Sequence, residues 1–91
     1  MIKATHKTEF EFDHEESGRL YVFEVTFVSY PEGNGFMIED VKLDLIECLD
    51  EERETLLNVE EGHAQRMTAY VADRFHDRIF NECHEALLCA S

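Results

Sequence analysis

A chain of 91 residues has room for one domain around a single hydrophobic core. Hydrophobic residues make up 44% of it, with seven Phe and three Tyr, which can fill such a core and argues against intrinsic disorder even at 32% charged residues. Eight Lys and Arg against 21 Asp and Glu give a formal net charge of -13, a field that repels DNA, RNA and anionic membranes and draws basic partners.

The opening residues, Met1 to Lys7, lack the apolar run of a secretory leader, and no stretch of about 18 apolar residues occurs that could cross a bilayer. Cys48, Cys83 and Cys89 are odd in number and none stands in a CxxC pair, so a reducing compartment suits them. The expectation is a cytoplasmic protein without membrane contact.

A first strand is expected over about 3–13. Within it Thr8, Phe10 and Phe12 alternate with Glu9, Glu11 and Asp13, so the carboxylates share a face at intervals of about 6.7 Å. Turn formers from Asp13 to Gly18 reverse the chain into a second strand over 19–30. This strand is apolar on both sides: Tyr21, Phe23, Val25 and Phe27 form one face, and Leu20, Val22, Val28 and Tyr30 the other, broken by Glu24 and Thr26. One face must be core. Cover from within the chain is favoured for the second face, with another subunit as the alternative, because contiguous exposed apolar patches are uncommon on monomers. Leu20, Val22, Val28 and Tyr30 are therefore the candidate self-association residues. The loop from Pro31 to Gly35 leads to a third strand over 36–46, with Val41, Leu43 and Leu45 on one side and Asp40, Lys42 and Asp44 on the other.

After about Leu49 the apolar period changes to roughly 3.6. Asp50, Glu51 and Glu52 sit where a helix N-terminus prefers acids, which predicts a short helix over 50–57. Asn58, with Glu61 three residues on, makes a partial capping box. Ala64, Met67, Val71, Phe75, Ile79, Cys83 and Leu87 then recur at three or four residues, which predicts one long amphipathic helix over 59–88. Gly62 leaves open a break there, as well as a single helix beginning near Asp50. The expected fold is a single α+β domain over 1–91: a three-stranded antiparallel meander packed by a long C-terminal amphipathic helix, with a short helix before it.

The residue spacings offer little to a metal or a nucleophile. His76 and Cys83 stand seven apart, about 10.5 Å along a helix, and Cys83 and His84 diverge by about 100°. No GxSxG, P-loop or dinucleotide-binding glycine pattern occurs. With 21 acids in the chain, carboxylate pairs carry little weight for acid-base chemistry. No catalytic residue, metal site or cofactor is expected. What remains is the placement of acids: Glu9, Glu11, Asp13, Glu15, Glu16, Glu39, Asp40, Asp50, Glu51 and Glu52 are the candidate partner-binding surface. Regularly spaced carboxylates can imitate a phosphate backbone, so the expected partner is a basic protein, including one that handles nucleic acid. A solvated surface that only keeps the chain soluble is the alternative.

Phe10-Glu11-Phe12, the strand from Tyr21 to Tyr30 ending in Pro31-Glu32, and Ile38-Glu39-Asp40-Val41-Lys42-Leu43 followed by an acidic helical region together resemble small acidic proteins encoded by tailed bacteriophages. The resemblance spans about Thr8 to Glu82, while the long C-terminal helix and the cysteines Cys83 and Cys89 depart from it. It implies an accessory factor in the host cytoplasm that binds and inhibits or redirects a host protein, with DNA mimicry of the anti-restriction or anti-CRISPR kind as one route. A homodimeric assembly module is the alternative.

Overall fold

Polar and apolar side chains alternate along β1 (Ala4–His14), β2 (Arg19–Glu32) is apolar on both sides, and β3 (Gly35–Leu49) completes an antiparallel sheet in the order β1-β2-β3. Helices α1 (Glu61–Arg74) and α2 (His76–Cys89) follow. The computed structural model describes residues 2–54 and 59–89. The molecule measures 44 × 24 × 20 Å.

Each hairpin is set by a glycine. The β1–β2 loop closes with the Gly18 N–H donating to the His14 carbonyl at 2.9 Å, and Gly18 takes a φ of 71° that any β-carbon would resist. In the β2–β3 loop Glu32 pairs with Gly35, so Gly33 and Asn34 alone make the turn. Gly33, at φ 59°, holds the first of the two central positions, as in II′ hairpins. Pro31 and Glu32, expected in a loop, continue β2 instead, and β3 likewise runs past the expected end at 46 to Leu49.

The sheet face that carries Phe10, Tyr21, Phe23, Val25 and Phe27 packs with Val71, Ile79 and Cys83 of the helices to form the core. Phe23, Val25 and Phe27 are fully buried, each worth roughly 1.5–3 kcal/mol relative to exposure. On β3 strict alternation fails twice. Register shifts between Val22 and Phe23 and between Thr26 and Val28 accommodate extra residues on β3, at Ile46 and at Asp40–Val41. Asp40 takes the left-handed conformation there, with φ 53°. These bulges keep Ile38, Val41, Leu43, Leu45 and Cys48 toward the core despite their uneven spacing.

Two expected helices are corrected. Residues 50–54 form a turn: the Asp50 carboxylate accepts from the Glu52 and Glu54 N–H groups at 2.9 and 2.8 Å, and Arg53 at φ 65° leaves helical geometry. A short acidic side chain has satisfied the backbone locally, which is the competition that keeps Asp out of helix interiors. The rest of the expected first helix, and the Asn58 cap, lie outside the described residues. The long helix over 59–88 is two helices. It starts after Glu60, and it breaks at Phe75 (φ −114°, ψ 27°) while Gly62 sits inside the first turn of α1. Hydrogen bonds Phe75 N–H to Val71 and Ile79 N–H to Phe75, both 2.9 Å, bracket the break. Phe75 turns into the sheet against Phe10 and Phe12, with ring centroids 5.9 and 5.1 Å away. That packing lets α1 lie against β3 and α2 against β1.

Candidate functional site

Strand register decides which charges share a surface. On the sheet face away from the core, β1 presents Lys7, Glu9, Glu11 and Asp13 beside Thr26, Glu24, Val22 and Leu20 of β2. β3 presents Lys42, Asp44, Glu47 and Leu49 beside the same four β2 residues. Glu9, Glu24 and Asp44 thus form a row of carboxylates across all three strands. Like charges directly opposite one another are unfavourable. Part of that cost is offset diagonally by Lys7, whose Nζ lies 3.6 Å from Glu24.

The candidate self-association residues, Leu20, Val22, Val28 and Tyr30, lie on this face. Val22 is 6% exposed, while the other three are half-buried. The two helices pack on the other face of the sheet.

The acidic residues singled out by sequence divide between the two ends of the sheet. At one end the β1–β2 turn meets the turn at 50–54: the Glu51 side chain lies across Gly18, and Arg53 reaches Asp13 at 3.4 Å. Asp13, Glu15, Glu16, Glu51 and Glu52, all exposed, thereby share one end, continuous with Glu9 and Glu11. Asp50 belongs to this end but spends its carboxylate on the turn. Glu39 and Asp40 lie roughly 30 Å along β3, by the strand rise. Glu39 there pairs with Lys3 at 2.5 Å, and this hydrogen bond and charge hold the Lys3 ammonium above its usual pKa.

Sequence reasoning missed Glu24, Asp44 and Glu47. Their link to Glu9 and Glu11 exists only in the register.

A cleft of about 250 Å³ between β3 and the helices is floored by Val41, Leu43, Ile79 and Phe80 and rimmed by Glu39, Asp40 and His76. Among the described residues, no Ser, Thr, Cys or Lys lines it. His76 and His84 are exposed and Cys83 is in the core. Burial and then the charge of Glu82 push the Cys83 thiol up to about 11, and burial likewise raises Cys48, opposed by Arg19. Among the described residues no three His, Cys, Asp or Glu side chains converge on a point that could hold a metal. Nor is any described helix long and apolar enough to cross a membrane.

No family model, curated protein or solved structure matches this chain.

Proposed function

We propose that the protein works by binding, without catalysis, and that its acidic end meets a basic surface on another protein. The supporting observation is the junction of the two turns. Glu51 over Gly18 and Arg53 beside Asp13 bring the acids of residues 13–16 and 51–52 together from distant parts of the sequence. Neighbouring carboxylates in one field steer a cationic partner and speed its approach. A groove that otherwise holds nucleic acid is one such partner, and inhibition of a host enzyme by an accessory protein of phage type is the corresponding role.

Capture from bacterial lysate with the wild-type chain and with a Glu15→Lys/Glu16→Lys/Glu51→Lys variant tests the reading. A basic protein retained by the wild type, lost from the variant and released as salt shortens the Debye length from about 10 Å at 0.1 M to 3 Å at 1 M is the expected result. Displacement of that protein by DNA or RNA supports mimicry. A partner that ignores both salt and the three substitutions overturns the acidic-end reading.

A further inference from the structure

The open sheet face is acidic toward one end and basic toward the other. Taken in order along β2, its cross-strand rows are Asp13-Leu20-Leu49, Glu11-Val22-Glu47, Glu9-Glu24-Asp44, Lys7-Thr26-Lys42, Thr5-Val28-Glu39 and, beyond them, Tyr30-Met37 with Lys3 set over the Tyr30 ring. The first three rows carry acids without a lysine. The fourth carries two lysines without an acid, and Lys3 follows.

From this order we infer that the open face is the contact between two copies of the chain, stacked with their strands antiparallel about a two-fold axis that crosses the strands between the Glu24 and Thr26 rows. The operation sets Glu9 over Lys7 of the second copy and Asp44 over Lys42, and symmetry repeats each pair. The same operation sets Val22 over Val28 and Leu20 over Tyr30, so the two half-buried apolar groups of β2 cover one another. It also places Leu49 over Met37, which is 44% exposed in the single chain. Glu47 falls opposite Glu39, whose charge Lys3 already offsets.

An isologous contact must be self-complementary, and here charge selects the orientation. Turning the second copy about an axis parallel to the strands would set acidic half on acidic half. Sheets that pack face to face keep their strands within about 30° of alignment, antiparallel stacking included. Six rows about 6.7 Å apart over three strands about 4.8 Å apart outline a footprint near 500 Å² per copy. That falls short of the roughly 800 Å² typical of a tight complex, so a micromolar dimer is expected. Glu15, Glu16, Glu51 and Glu52 stay at its outer ends. The inference is independent of the proposed basic partner.

Sedimentation equilibrium on the full chain is expected to show a monomer–dimer equilibrium in the micromolar range that weakens with salt. Two charge-reversed variants decide the surface. K7E/K42E makes the central rows all acidic, and E9K/D44K makes them predominantly basic. Each alone is expected to dimerise at least tenfold more weakly than the wild type, and an equimolar mixture of the two is expected to restore a heterodimer. The replaced side chains are all exposed, and circular dichroism verifies that each variant is folded. A wild-type chain that stays monomeric to hundreds of micromolar overturns the inference. So does a dimer that ignores these substitutions, or a mixture that forms no heterodimer. None of these three results bears on salt-sensitive capture of a basic protein through the acidic end.

Discussion

The Tyr21 hydroxyl lies 3.1 Å from Nε2 of His63, a hydrogen bond that joins the middle strand to the first turn of α1 across 42 residues of sequence. Tyr21 is only 1% exposed, so its hydroxyl has little access to water as a substitute partner. Tyr21→Phe is expected to cost about 0.5–1.5 kcal/mol in denaturant unfolding. The same change should speed amide exchange from Ala64 to Met67. Unchanged stability together with unchanged exchange would show that the bond holds nothing.

Gly18 combines two constraints that substitution separates. A β-carbon there would stand 2.3 Å from Cγ of Glu51, and the left-handed φ of 71° adds its own strain. Gly18→Ala is expected to lose at least about 1–2 kcal/mol from the dihedral. Because Glu51 is a flexible exposed side chain, Glu51→Ala in the same chain should recover the steric part alone. A double-mutant cycle by thermal unfolding measures that coupling, and strictly additive losses would mean that Glu51 simply swings away.

Asp50 organises the turn that replaces the expected helix. Its Oδ1 accepts from two backbone N–H groups, much as a helix cap does. Asp50→Ala should cost about 1 kcal/mol, while Asp50→Asn, which keeps an acceptor oxygen, should cost less. Chemical denaturation of both variants checks the order, and equal losses would assign the effect to charge.

The thiols should differ in both reactivity and pH response. Cys89 is exposed whereas Cys48 and Cys83 are buried, so a thiol reagent at neutral pH should label Cys89 first and the other two only at the rate of opening. The folded state holds the Cys83 thiol up to about 11, above its ordinary value of 9.0. Between these values the folded state binds more protons than the unfolded one. The contribution of Cys83 is therefore fully present below pH 9 and lost as pH rises through about 11. Cys83→Ala should flatten the alkaline fall in stability over that window, and an unchanged slope would place its origin elsewhere.

Much of the sheet was legible locally. Alternation placed Phe10 and Phe12 opposite Glu9, Glu11 and Asp13, and the two-sided apolar character of β2 was visible from Leu20 to Tyr30. The helical stripe through Val71, Ile79 and Cys83 was equally plain, and all three residues are core. The break at Phe75 was hidden because the stripe continues through it at regular spacing. Its cause is the packing of that one ring on Phe10 and Phe12, which the sequence does not display. Asp50, Glu51 and Glu52 read as a helix start for the same reason in reverse: composition favoured a helix, and hydrogen bonding within five residues closed a turn.

By itself the sequence determined an acidic α+β chain, with three strands and an amphipathic helical region, because side-chain period and net charge are properties of neighbours along the chain. Only the tertiary structure decided that Glu9, Glu24 and Asp44 stand in one row and Lys7 and Lys42 in the next, and that the acids near Gly18 meet those near Glu51. Those relations depend on strand register and on two bulges in β3. A shift of one residue would turn each of these side chains to the opposite face.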